Sequence, residues 1–252
     1  MAIRILPALI TAGAALIALP SLAQAQPAGA SASPPRIGAV DGDRVTPGSW
    51  TYSIRVIANG ESNEVGMRTL TVAASSYKGA PAWLVTEESN AGAMVVVDSL
   101  YVSKSGLEPL HRVLSMGPGT IVTDFSADSV TGSLTMPGGS MPIALAYTPG
   151  LVVSGGMFEM ILPILPVDAN WAASMDMLQI TQLGASAVPV RMRVTGEETV
   201  TVPAGEIAAW TGVIESEAVT QKVWIGKKGH RLVKVTVSSP QMQGTVIETV
   251  LK

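Results

Sequence analysis

His111 and His230 are the only imidazoles in a chain that has no cysteine. Zinc and related centres need His, Cys and carboxylate clustered at short spacing, and no His-Glu-x-x-His arrangement is present. His111, beside Arg112 on an alternating strand, reads as surface or rim, and His230 at a loop tip reads as solvated. Ser75-Ser76-Tyr77-Lys78 matches Ser-x-x-Lys, in which a lysine helps to activate a nucleophilic serine. That chemistry wants the serine at a helix start, with Ser-Asp-Asn and Lys-Thr-Gly partners elsewhere. Here the tetrapeptide runs into Gly79-Ala80-Pro81, so it reads as a turn, and there is no Gly-x-Ser-x-Gly elbow.

The remaining candidates fail on geometry. Glu87-Glu88 and Glu197-Glu198 are adjacent on extended segments, which sends the two side chains of each pair to opposite faces. An acid–base pair must converge on one bond. The segments MGPGT (116–120) and MPGGSM (136–141) lack the strand-to-helix setting of a phosphate cradle and read as hairpin turns. Asp41-Gly42-Asp43 lacks the further ligands of a calcium loop. Met157-x-x-Met160 and Met175-x-Met177, with Met136 and Met141 bracketing a turn, offer thioethers that suit copper(I). Such sites converge with His or Cys and none is near. Filling of irregular apolar space is the simpler use of methionine. No catalytic residue, metal ligand or cofactor is expected.

The elements that carry these residues are mostly strands. From Trp50 the hydrophobic period is two: Trp50, Tyr52, Ile54 and Val56 alternate with Thr51, Ser53 and Arg55. Asn59-Gly60 suits a hairpin turn with positive φ, and Val65–Ala73 returns from it. Similar runs follow at about 82–88, 94–102, 107–116, 119–125, 130–136 and 141–147, then 178–183, 188–195, 206–216, 219–226, 231–238 and 244–251. About a dozen short strands with Gly, Pro, Ser or Asp at the joints predict an all-β fold. The form is an antiparallel curled sheet, half-barrel or barrel. One interruption stands out. In SGGMFEMILPILPVDANW (154–171), Met157, Phe158, Ile161, Leu162 and Leu165 fall on one face of a helix, with Met160 off that face, and Pro163 and Pro166 keep the helix short.

The amino terminus predicts export. Arg4 precedes an apolar run, Ile5 to Leu19, and Ala23-Gln24-Ala25 gives a small-x-small cleavage pattern before Gln26. Residues 1–25 are therefore expected to be a cleavable signal peptide, leaving a periplasmic protein without a transmembrane segment. With no cysteine, lipidation and disulfides are excluded. Residues 26–48, rich in Pro, Ala, Gly and Ser, read as a flexible leader, and 49–252 as a single β-rich domain. Without Arg4, the 16 Lys and Arg fall to 15 against 19 Asp and Glu, a formal charge of −4. That mild acidity argues against nucleic acid or an anionic membrane as partner.

Residues 201–235 hold Pro203-Ala204-Gly205, Trp210, Trp224 and the turn Gly226-Lys227-Lys228-Gly229-His230. This stretch resembles the carboxy-terminal signature of an exported bacterial family, domain of unknown function 3108. SLYVSKSGLEPLHR (99–112) and FEMILPILPVDANW (158–171) are similar to further segments of that family. Gly226 departs from the family pattern, where an acidic residue is common. The resemblance implies an exported, β-rich protein comparable with the periplasmic half-barrels that carry lipoproteins, and it brings no catalytic residues.

Two functions follow as expectations. One is the binding of an apolar small molecule or lipid, with Met157, Phe158, Ile161, Leu162, Leu165 and Trp171 covering a cavity whose wall carries Trp210 and Trp224. The other is a structural or assembly factor that contacts an envelope protein.

Overall fold

The structure, a computed structural model, describes residues 34–38, 40–181, 184–216, 220–239 and 242–252. The expected signal peptide and residues 26–33 of the expected leader lie outside the described residues.

Among the described residues the chain is all-β apart from short helical segments. A first meander runs β1 (Gly48–Ala58), β2 (Glu61–Tyr77), β3 (Ala80–Ala91), β4 (Met94–Ser103), β5 (Pro109–Met116), β6 (Gly119–Phe125), β7 (Ser129–Met136) and β8 (Gly139–Ala146). Each strand pairs antiparallel with the one before it. The two-residue β9 (Leu151–Val152) leads to helix α1 (Gly155–Ile161), which tightens into a 3-10 turn at Leu162–Ile164. A second meander follows: β10 (Ala172–Thr181), β11 (Gly184–Val202), β12 (Gly205–Glu215), β13 (Thr220–Gly226), β14 (Leu232–Ser238) and β15 (Val246–Leu251). β15 pairs with β1, so both meanders form one curled, unclosed sheet with β8 and β9 at its ends.

Local chemistry explains the joints. Asn59-Gly60 turns with φ of 53° and 82°, and Lys78-Gly79 with 50° and 84°, as tight hairpins require. β10 and β11 extend well beyond the short runs expected at 178–183 and 188–195. Pro189 lies within β11, and a register shift between Val194 and Gly196 breaks its alternation, so the period-two signal fades where the strand continues.

Part of the segment read as a flexible leader is tied to the sheet. Ser174 N–H donates to Pro35 O and Ile37 N–H to Ser174 O, which continues the β10 edge beside β9. Asp41 caps a 3-10 turn at Gly42–Arg44, and Trp83 Nε1 donates to Gly42 O. These are backbone and indole contacts, invisible to a composition argument.

The main core lies on the inner face of the curl, where both meanders and α1 meet. The helix was expected to bury one face, yet every residue from Gly156 to Ile161 is buried, Met160 included. A helix buried around its whole circumference has no solvent face. Ser154 caps it by accepting from Met157 N–H at 3.1 Å. Gly156 sets its seat: a Cβ there would come to 3.0 Å from Leu70 Cδ1 and 3.2 Å from Val85 Cγ1. Gly156→Val should therefore lift α1 from β2 and β3 and destabilise the fold by about 1–3 kcal/mol. Urea unfolding followed by far-UV circular dichroism would measure this, and an unchanged midpoint would contradict the seating.

Candidate functional site

The inward register of the first meander carries charges among its hydrophobes. β2 presents Arg68 beside Leu70 and Val72, and β3 presents Glu87 beside Val85. β4 presents Asp98 between Val96 and Leu100, and β5 presents Arg112 beside Leu114. Glu87 and Asp98 sit directly opposite each other. The result is a polar belt crossing the inner face from Tyr52 on β1 to Arg112 on β5.

Buried charges demand partners, and the belt supplies them. Arg112 forks onto Asp98, Nε to Oδ1 at 2.9 Å and Nη2 to Oδ2 at 2.8 Å. Arg68 serves two carboxylates: Nη2 reaches Glu87 Oε2 at 2.9 Å and Glu159 Oε1 at 2.8 Å, and Nη1 reaches Glu159 Oε2 at 3.2 Å. Glu159 is the one charged residue of α1, so this fork fixes the helix to the sheet. The Arg68 guanidinium lies 5.2 Å from the Tyr52 ring centroid, and the Tyr52 hydroxyl donates to Leu232 O at 3.3 Å. Burial pushes the Tyr52 phenol well above its ordinary range, with the Glu159 charge adding to the effect.

A cleft of about 230 Å³ opens at the carboxyl end of α1. Trp50, Val72, Met160, Pro163 and Ile164 form its apolar walls, and Arg44, Thr46, Gly229 and Arg231 its polar side; Glu159 also reaches it. The β13–β14 hairpin is held there by His230, whose Nδ1–H donates to Leu165 O at 2.9 Å. His230 is thus half-buried at a joint, where a solvated tip was expected. The Arg231 guanidinium lies 3.6 Å over the Trp50 ring, and burial lowers its proton affinity from the usual arginine range.

None of the eight residues expected to form a ligand cavity lines this cleft. Met157, Phe158, Ile161, Leu162 and Leu165 are buried in the main core, and Trp171 and Trp210 pack against it. Trp224 faces the other way. It pairs across from Thr211, where Trp210 pairs with Ile225, and it packs with Val202, Ala209, Val233 and Val250 in a separate cluster. Its Nε1 donates to Glu198, and the Lys222 and Lys234 ammonium groups lie over its ring. His111, on the outer face, contacts Asp124 at 2.9 Å and stacks on Tyr77. No group of three or more His, Cys, Asp or Glu suited to a metal occurs among the described residues.

Sequence reasoning missed Arg68, Glu159 and Arg231, and weighed Glu87 only as half of an acidic pair. Its available signal was the strand register: Arg68 shares the parity of Leu70 and Val72, and Glu87 that of Val85.

Two predictions test the belt. Arg68→Met strands two buried carboxylates face to face and should cost about 3–5 kcal/mol in urea unfolding. A loss near zero would mean that the cluster is solvated. The second concerns pH. Two carboxylates share one guanidinium, and burial raises the Glu159 pKa above its ordinary value despite the opposing pull of Arg68. Between the unfolded value and the raised folded one, the folded chain holds more protons, so this group's contribution to stability falls as pH rises. The wild type should lose stability relative to Glu159→Gln as pH climbs from the ordinary carboxylate range, read from urea midpoints. The opposite slope would overturn the assignment.

Comparison with known proteins agrees with this architecture. Residues 51–251 match the family described as "Protein of unknown function (DUF3108)". No curated protein matches the chain. The crystal structure of a β-barrel-like protein of the domain of unknown function DUF1849, from Brucella abortus, is similar in fold, with a TM-score of 0.52 at 8% identity, covering 83% of this chain and 97% of that one. With residues 51–251 matched, from the fourth residue of β1 through the end of β15, the chain belongs to the DUF3108 family of proteins of unknown function.

Proposed function

We propose that this is a non-enzymatic periplasmic protein that binds an apolar or lipid-like ligand in the cleft beside α1. The periplasmic part rests on the Arg4, Ile5–Leu19 and Ala23–Ala25 export pattern. The binding part is carried by one observation: an indole, Val72, Met160, Pro163 and Ile164 converge on accessible space at the edge of the curl. Met160 adds an adaptable thioether wall.

The size of the cleft limits the ligand. At about 230 Å³ it lies below the ~300–1,000 Å³ of pockets that enclose drug-sized molecules. A short chain, or the end of a longer one, fits beside α1, while the interior that a half-barrel carrier would offer is occupied by Phe158, Ile161 and Leu162.

The test is a series of uncharged primary alcohols of increasing length, titrated into the mature chain by calorimetry. Each methylene that enters the cleft should tighten binding by about 0.8 kcal/mol, roughly fourfold in Kd, until the cleft is full and the gain stops. Ile164→Trp, which places a larger side chain in the cleft, should weaken the whole series. Absence of saturable binding at any length would sink the reading and direct attention to protein partners.

A further inference from the structure

Arg231 is not accounted for by the walls of the cleft or by the core. Its guanidinium is half-buried, with Cζ 3.6 Å over the Trp50 ring centroid. Among the described residues it makes no hydrogen bond or ion pair, whereas Arg68 and Arg112 are both forked onto carboxylates. Stacking uses the face of the guanidinium and leaves its in-plane N–H donors free. No Arg231 nitrogen is among the fully buried unpartnered groups, so its donors stay accessible to an acceptor placed in the cleft beside them. Arg44 lines the same cleft from the exposed 3-10 turn, also without an ion pair among the described residues.

Charge balance within the protein explains part of this, but not the geometry. Arg68 faces two carboxylates, which leaves that cluster one negative charge in excess, and the field of Arg231 offsets it. A counter-charge acting at a distance has no need of a fixed, flat guanidinium with open donors. The Glu159 oxygens are already taken by Arg68, so they do not compete strongly for Arg231.

We propose that the cleft recognises an anionic head group, a carboxylate or phosphate, bound in plane by the Arg231 guanidinium and met at the rim by Arg44. This rests on the reading of the chain as a binder of apolar or lipid-like ligands and makes that ligand an anionic amphiphile. Its apolar part lies along Met160, Pro163 and Ile164, and its head lies over the edge of the Trp50-stacked guanidinium. A planar two-oxygen acceptor matches the guanidinium fork, which a hydroxyl head does not.

The experiment compares 1-octanol, octanoate, octyl phosphate and inorganic phosphate on the mature chain, read by calorimetry and by the 1H–15N resonance of the Trp50 indole. Octanoate and octyl phosphate should bind about tenfold or more tighter than octanol, and the preference should shrink with added salt. Arg231→Gln should bring the ratio of anionic to neutral affinity close to one, with Arg231→Lys between. Arg44→Gln, at an exposed position, should lower the same ratio and keeps the test valid should Arg231→Gln fail to fold. If inorganic phosphate alone shifts the Trp50 indole in an Arg231-dependent way while no alkyl ligand gains from its chain, the anion site stands and the apolar-ligand reading falls. Equal affinity for charged and neutral heads, or a preference that survives both substitutions, would overturn the anion site. No response to any of the four probes would overturn both.

Discussion

Arg68 is the group on which the inner architecture turns. It is a single cation within hydrogen-bonding distance of two carboxylates, one from the sheet and one from the helix, with almost no water around any of them. In such a setting the cost of desolvation is met only when every charge is held by a well-placed partner. That requirement fixes more than a pair of side chains. β2 must deliver Arg68 inward, β3 must deliver Glu87 inward, and α1 must approach closely enough for Glu159 to fork. Gly156 permits that approach, and the Tyr52 ring covers the guanidinium from β1. An apolar contact in the same place would tolerate sliding by several tenths of an ångström, whereas a forked ion pair does not.

The order of strands imposes the second constraint. Two meanders joined through β1 and β15 make one sheet whose ends do not pair, and unpaired ends invite other chains. The ends are handled differently. β8 carries Pro142 and approaches β11 without a hydrogen-bonded ladder. β10 is covered by the two residues of β9 and, next to them, by Pro34–Ile37, with Arg36 paired to Asp176 at 2.9 Å. The amino-terminal segment is thus an edge guard for the sheet as well as a connection to whatever precedes it.

How much of this could be read from the residues follows from the same physics. Period-two alternation, Asn59-Gly60 and the Gly- and Pro-marked joints are local signals, so the all-β curl and the mid-chain helix were legible. Seven of the eight apolar residues chosen as a ligand site lie in or against the main core, and Trp224 lies in a separate cluster. What alternation does not say is whether an inward face meets a cavity or another packed face. Trp210 and Trp224 show a related limit. They lie on neighbouring strands, but only the pairing of Trp210 with Ile225 and of Thr211 with Trp224 separates them onto opposite faces. The cleft itself joins residues 44–50, 72, 159–164 and 229–231, four segments brought together by nothing shorter than the whole meander. Arg231 looks like any charge in a hairpin until Trp50 is placed beneath it.

The occupied interior bears on the binding role proposed above. In a carrier that encloses an acyl chain, the element covering the sheet must move aside or leave space beneath it. Here α1 occupies that space, and withdrawing it would break the Arg68–Glu159 fork, leaving Arg68 with Glu87 alone. If that costs about 3–5 kcal/mol, as for breaking other buried pairs, the opened state is rarer than the closed one by roughly two to four powers of ten. Apparent affinity for a ligand that needs the opened state falls by the same factor. A ligand that enters the existing cleft meets no such penalty. For the proposed binding role, the belt therefore favours a short or end-on amphiphile at the edge of the curl over a whole lipid inside it, and it does so through the polar residues of an otherwise apolar face.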